Sequence, residues 1–138
     1  MNVQTLETEL RVMAEHLTLP REGECLVCYV YRMLEFGCTG ARWITRFRDL
    51  RAPRATALLD RLMSRGACCD CEMLYNAYEL RERFRTRPTH AFIYDPAYPD
   101  DPPMIEEEDP GFPDPMPACL TVRRGSTQPC GLWQRRYL

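Results

Sequence analysis

Apolar residues recur at intervals of three and four through the first part of the chain, which is the period of an α-helix. The pattern is most regular over residues 1–17, and Pro20 and Gly23 end it. The same spacing, bounded by glycine and proline, predicts four further helices. These lie within residues 25–36, 40–50, 51–66 and 70–84.

No stretch before Pro88 alternates between apolar and polar residues as a half-buried strand does. Residues 1–87 are therefore predicted to form an all-α domain of about five helices. Residues 88–117 hold nine prolines and the acidic run IEEEDPGFPDP. Such a composition is typical of a linker or tail without compact packing. Residues 118–138 regain apolar and aromatic residues, as expected of a segment that docks back on the helices.

Charge and hydropathy restrict where the protein acts. The formal net charge is −2, so no global attraction to nucleic acid or to an anionic membrane is expected. No apolar stretch approaches the about 20 residues that a membrane-spanning helix needs. The amino terminus carries acidic residues where a signal peptide would carry basic ones, so we expect a cytoplasmic protein. All 18 basic residues are arginine, which favours bidentate contacts.

The eight cysteines are the main candidates for chemistry. Clustered thiols in a reducing compartment are more typical of metal sites than of disulfides. Cys25 and Cys28 lie three residues apart in CLVC, and Cys69 and Cys71 bracket Asp70 in CDCE. Two short-spaced pairs about 40 residues apart can bring four thiolates to one tetrahedral ion, so we predict a structural zinc site.

The identity of the four ligands stays open at this point. Cys38 could complete the set or replace one of its members, whereas Cys68 is more typical of an ordinary small side chain. Cys119 and Cys130 flank LTVRRGSTQP and give only a weak signal for a second, partial site. The predicted ligands are therefore drawn from Cys25, Cys28, Cys38, Cys69 and Cys71.

The stretch FGCTGARWITRFRDLRAPRATALLDRLMSRGACCDCEMLYNAYEL resembles an uncharacterised bacterial domain-of-unknown-function family, with the likeness extending over roughly residues 25–84. The signature of that family is CDCE followed by an apolar pair and Asn, here Asn76, with Cys-x-His or a related motif upstream. By this resemblance the upstream cysteine is Cys38, and Gly40 stands where the histidine is expected. The resemblance implies no activity, and CLVC could replace the missing imidazole.

The predicted function is binding or regulation through a protein partner, with zinc in a structural role and without contact to a membrane. Catalysis is not favoured, because sites made of thiolates alone are generally structural. The only histidines are His16 and His90, and neither adjoins a cysteine in the sequence.

Two alternatives remain. In the first, an arginine-rich stretch grips nucleic acid through phosphate contacts, although the neighbouring Trp43 and Phe47 have the spacing of a buried helix stripe. In the second, Cys25 and Cys28 form a redox couple, although the thioredoxin-like context of such a motif needs strands around it. The residues of the first alternative are Arg42, Arg46, Arg51 and Arg54.

Overall fold

A computed structural model of the protein describes residues 2–87, 89–108 and 111–137. Its longer helices agree with the predicted positions. Single turns of other helical types occur at Leu34–Phe36, Met73–Ala77 and Glu82–Phe84. The α-helices are α1 (Val3–Leu17), α2 (Leu26–Met33), α3 (Arg42–Arg51), α4 (Leu58–Met63) and α5 (Asp70–Glu72).

The prediction of an all-α fold is wrong, because the chain also forms two small two-stranded sheets. The fifth predicted helix ends early, and the residues after its π-helical turn form a strand instead. That strand pairs with one more than 50 positions away, a partner that no local pattern reveals. The strands are β1 (Tyr78–Leu80), β2 (Thr89–Ile93), β3 (Met104–Glu108) and β4 (Trp133–Arg135), with β1 beside β4 and β2 beside β3.

The chain divides into two compact units. The first combines Met1–Glu79 with Cys119–Leu138, and the second consists of Leu80–Ala118. None of the helices in the described part of the chain is both long and apolar enough to cross a membrane. All eight cysteines belong to the first unit.

The core of the first unit lies between α2 and α3. The ring of Tyr29 lies 5.7 Å from that of Phe47, and the indole N–H of Trp43 donates a hydrogen bond to the Gly37 carbonyl at 3.1 Å. Residues 132 and 133 join this core from a distant part of the sequence. Its fully buried side chains include Leu26, Val27, Tyr29, Val30, Met33, Trp43, Ile44, Phe47, Leu132 and Trp133.

Helix α1 has an amphipathic sequence but buries none of its residues. Its apolar stripe is between 47% and 70% exposed. The guanidinium of Arg46 attaches the end of the helix by donating hydrogen bonds to the carbonyls of Glu15 and Thr18. The helix therefore presents an uncovered apolar stripe made of Val3, Leu6, Leu10, Met13 and Leu17.

The second unit contains the antiparallel pair β2 and β3, in which Phe92 lies opposite Ile105 and Ile93 opposite Met104. These four side chains are exposed. The proline-rich, acidic composition predicted a linker or tail without compact packing, and within this range the structure forms a strand pair that the sequence did not indicate. Its residues carry strand-forming aromatic and branched side chains, whereas the prolines lie outside the strands.

Candidate metal centres

The first centre is a group of four cysteines from two distant parts of the chain. The sulfur atoms of Cys25, Cys28, Cys119 and Cys130 all lie within 4.8 Å of one another. Cys25 is the N-cap residue of α2, and Cys28 lies in the first turn of that helix. We call this set the four-cysteine group, and it could hold a metal ion.

Close backbone packing brings the two halves of the four-cysteine group together. The backbone N–H of Val122 donates to the Gly23 carbonyl at 2.9 Å. Gly23 has φ +71°, and a Cβ atom on it would meet Thr121 at 3.2 Å. Glycine at this position therefore lets residues 119–122 approach the start of α2.

Hydrogen-bond donors surround the sulfur atoms of this group. The backbone N–H of Cys28 donates to the sulfur of Cys25, and that of Cys25 donates to the sulfur of Cys119, each at 3.3 Å. The backbone N–H of Thr121 also donates to Cys119 at 3.3 Å, and the indole N–H of Trp133 donates to Cys28 at 3.2 Å. Donors aimed at sulfur favour the thiolate, which is the form that binds metal.

The sulfur spacing agrees with a tetrahedral ion. The sulfur atoms of Cys28 and Cys130 are 3.7 Å apart. A tetrahedral zinc ion with Zn–S bonds of about 2.3 Å places its sulfur ligands about 3.8 Å apart. All eight cysteines are free thiols in the structure, so these sulfur atoms are not joined as a disulfide.

Proximity couples the ionisation of these thiols. The pKa of Cys130 is lowered to about 2, because the thiols of Cys25 and Cys28 donate hydrogen bonds to its sulfur. The pKa of Cys25 is raised to about 12, chiefly by its hydrogen bond to Cys130, and that of Cys28 is also raised. Without metal the group therefore retains protons, which a bound ion would displace, so metal affinity should fall as the pH falls.

The second centre is a group of three cysteines, Cys38, Cys69 and Cys71, whose sulfur atoms also lie within 4.8 Å of one another. We call it the three-cysteine group, and it too could hold a metal ion. The sulfurs of Cys69 and Cys71 are 3.3 Å apart. The pKa of Cys38 is lowered, chiefly because the backbone N–H of Cys71 donates to its sulfur. Partial loss of hydration is the largest cause raising the pKa of Cys69 to about 12.

Asp70 explains why an acid stands between two cysteines. Its carboxylate is fully buried and accepts hydrogen bonds from the backbone N–H groups of Trp43 and Ile44, each at 3.0 Å. Its own backbone N–H donates to the Gly40 carbonyl at 2.9 Å. The carboxylate thus supplies the cap at the start of α3 that the preceding Ala41 lacks. The fold needs the acid in CDCE, while its two neighbours contribute thiols to the three-cysteine group.

We expect Asp70→Ala to lower the free energy of unfolding by about 2–3 kcal/mol, because two buried N–H groups lose their acceptor. Asp70→Asn should cost less, since its side-chain carbonyl can still accept from one of them. Urea denaturation would measure both changes. Asp60→Ala is the matched control, because Asp60 is exposed in the first turn of α4. Equal losses for Asp70→Ala and Asp60→Ala would contradict the capping role.

The structure divides the five predicted ligands between two centres. Cys25 and Cys28 lie in the four-cysteine group, whereas Cys38 joins Cys69 and Cys71 in the three-cysteine group. The two short-spaced pairs were expected to share one ion, but the fold places them in different groups. Cys68 is exposed and belongs to neither group.

Sequence reasoning gave too little importance to Cys119 and Cys130. They complete the four-cysteine group, although their spacing of eleven residues resembles no short ligand pair. The available signal was that both lie in a segment rich in apolar and aromatic residues, after the proline-rich range. Trp133, the indole donor to Cys28, belongs to the same segment.

The arginines of the nucleic-acid hypothesis largely contact the protein itself. Arg46 donates to two backbone carbonyls near the end of α1, and Arg51 donates to the Pro20 carbonyl at 2.8 Å. The guanidinium of Arg42 lies 4.2 Å from the ring centre of Trp43, and Arg54 is exposed. The aromatic partners of that hypothesis, Trp43 and Phe47, are buried, so their rings cannot stack on bases.

Comparison with known proteins supports part of the sequence resemblance. Residues 26–76 match the model of a family described as "Protein of unknown function (DUF2695)". The resemblance to an uncharacterised family is thereby confirmed over that range. No curated protein and no solved structure matches the chain significantly. The matched range contains the whole three-cysteine group but only Cys28 of the four-cysteine group.

Proposed function

We propose that this protein is a metal-braced binding module, in which one Zn²⁺ ion in the four-cysteine group fixes residues 119–137 against α2. The proposal rests chiefly on four sulfur atoms that lie within 4.8 Å of one another although two of them follow the other two by more than ninety residues. Chance packing of four thiols at this distance is improbable, and the chain has no disulfide there. The role of the ion is structural, because four protein ligands leave no open position.

Zinc fits the donor set better than other common ions. Four thiolates in tetrahedral arrangement are typical of zinc or iron, whereas calcium and magnesium prefer oxygen ligands. The sulfur spacing of 3.7 Å and the N–H donors around the sulfurs agree with a closed zinc–thiolate site. Copper(I), which prefers fewer thiolate ligands, would not need all four cysteines.

Elemental analysis of the freshly purified, anaerobically handled chain tests the proposal. We expect zinc at one equivalent or more per chain, and we expect the variant Cys130→Ser to hold one equivalent less. Iron in place of zinc would reject the choice of metal. A metal content that is the same in the variant and the wild-type chain would reject the four-cysteine group as a site.

We propose a protein as the partner of the module and the cytoplasm as its location. The uncovered apolar stripe of α1 supports a protein partner, since contiguous exposed apolar surface often marks an interaction site. Reduced thiols in both groups are compatible with a reducing compartment. We also propose that the matching family is bacterial and that CDCE is its signature.

Nucleic-acid binding is the weaker candidate, and we expect only weak association with oligonucleotides at physiological salt. If Arg42 and Arg54 did grip phosphates, affinity would fall with salt at a log–log slope of about −0.7 to −0.9 per contact. Fluorescence anisotropy of a labelled oligonucleotide at several salt concentrations measures this. A tight complex that Arg42→Gln/Arg54→Gln abolishes would contradict our expectation, and the exposed Arg11→Gln is the control.

The redox alternative for Cys25 and Cys28 receives little support from the site. Cys25 is fully buried and accepts a hydrogen bond from the N–H of Cys28, and two other cysteines share the group. A catalytic dithiol needs one exposed sulfur that a substrate disulfide can reach. These contacts favour a structural site over a redox couple.

A further inference from the structure

The three-cysteine group differs from the four-cysteine group in number of ligands and in exposure. Cys38 is exposed, and Cys69 and Cys71 are partly exposed, whereas Cys25 and Cys130 in the other group are buried. Among the described side chains, those of residues 2–87, 91–106 and 111–137, no fourth histidine, cysteine, aspartate or glutamate joins the three sulfurs at the same close range. The group is thus a set of three convergent thiols that faces solvent.

Two nearby acids do not complete this group. The carboxylate of Asp70 is occupied in capping α3, where it accepts two backbone hydrogen bonds. Glu72 hydrogen-bonds to Cys69 through its backbone N–H and its side chain. Neither acid is among the residues whose ligand atoms all lie within 4.8 Å of one another at this group, which are Cys38, Cys69 and Cys71 alone.

Gly40 lies in the turn beside the three-cysteine group. Its carbonyl accepts the N–H of Asp70 at 2.9 Å, which places it beside the CDCE turn. A Cβ atom on Gly40 would meet nothing within 4 Å, so no side chain of the described residues fills the space there. The sulfur ligands themselves are accessible to a ligand from solution, because Cys38 is exposed and Cys69 and Cys71 are partly exposed.

We propose that the three-cysteine group is a second, separate metal site, which binds a thiophilic divalent ion such as Zn²⁺ through Cys38, Cys69 and Cys71 and leaves its fourth coordination position to an exchangeable neutral ligand from solution. Three protein ligands with one open position characterise sites at which ligands exchange, in contrast to closed four-ligand sites. The ion here is accessible from solvent and held by one ligand fewer. It exchanges faster than the ion of the four-cysteine group and accepts external nitrogen or sulfur donors.

Metal release from the zinc-loaded full chain tests the site. We expect two equivalents of zinc per chain, which leave in two phases when a coloured chelator is added, the faster by about tenfold to a hundredfold. Cys38→Ser should remove the fast phase and one equivalent, and it should leave the slow phase unchanged. Cys68→Ser is the matched control, because Cys68 is exposed beside Cys69 but belongs to neither group. A fast phase that persists in Cys38→Ser would overturn the proposal.

Cobalt substitution tests the open position directly. Added imidazole should shift the visible absorption bands of the Co²⁺-loaded wild-type chain but not those of the Co²⁺-loaded Cys38→Ser chain. Bands that do not move with imidazole would show a closed site and overturn the exchangeable ligand.

The experiments distinguish failure of the three-cysteine site from failure of the four-cysteine site. A wild-type chain that releases zinc only in the slow phase rejects only the three-cysteine site, and one that releases zinc only in the fast phase rejects only the four-cysteine site. Mass spectrometry after alkylation would detect a Cys69–Cys71 disulfide. Such a disulfide in freshly prepared, anaerobic protein would show that these thiols form a redox pair, and it would reject the metal site.

Discussion

Cys119→Ser should remove one zinc ion and unfold the first unit at temperatures where the wild-type chain is folded. A structural zinc site contributes about 10 kcal/mol or more of apparent binding energy that is coupled to folding. Cys119 joins a distant segment to α2, so its loss frees residues 119–137 from the metal as well as weakening the site. Because each kcal/mol corresponds to about 4–8 °C in a unit of this size, we expect the melting temperature to fall by tens of degrees.

Circular dichroism with parallel zinc analysis would measure this effect. The metal-free forms of Cys119→Ser and the wild-type chain should unfold at similar temperatures, because the serine itself changes little when no ion is bound. That comparison separates lost coordination from lost packing. A large difference between the two metal-free forms would show that the loss of stability comes from the side chain and not from the metal. An unchanged thermal transition of the variant in the presence of zinc would contradict a stabilising role of the ion.

Trp133→Ala should strongly destabilise the first unit through lost packing. Trp133 is 1% exposed, and its ring centre lies 6.1 Å from that of Tyr31. Replacing a buried tryptophan with alanine typically costs about 3–5 kcal/mol through lost burial and the cavity left behind. The variant also loses the N–H donor to Cys28, so zinc affinity should fall together with stability.

Trp133→Phe separates these two effects. It keeps most of the buried ring but lacks the indole N–H, so its stability loss should be smaller, while zinc affinity should still fall by about tenfold or more. Denaturation with urea and competition for zinc with a chelator would measure the two quantities. Unchanged zinc affinity in Trp133→Phe would mean that the N–H contact to sulfur does not tune the site. Trp43→Phe, which alters a buried tryptophan that donates to a carbonyl, is the control.

The local features of this fold could be predicted from its sequence. Helical spacing located α1 to α4, and the four-residue interval between Trp43 and Phe47 indicated a buried stripe, which the structure confirms. The second helix was predicted to lie within residues 25–36, and Gly37 follows the helical turn there with φ +98°. Such features depend on residues within one or two turns of each other, whose interactions are visible in a short window.

The largest errors concern contacts between residues far apart in the chain. The strand β1 depends on β4, and the four-cysteine group depends on two cysteines more than ninety positions after CLVC. Asp70 lies in a helical turn but caps a different helix. A sequence pattern does not show how far apart such partners lie in space. A ligand set chosen from short spacings alone therefore combined cysteines that belong to two different groups.

The four-cysteine group also has a consequence for the growing polypeptide. During synthesis at about 5–20 residues per second, the 91 residues from Cys28 to Cys119 take roughly 5 to 18 seconds to add. For that interval the first two ligands exist without the second two, so the brace cannot close. Cys38, Cys69 and Cys71 all precede Cys119, so if both groups bind metal as proposed, the order of synthesis allows the exposed group to be loaded first.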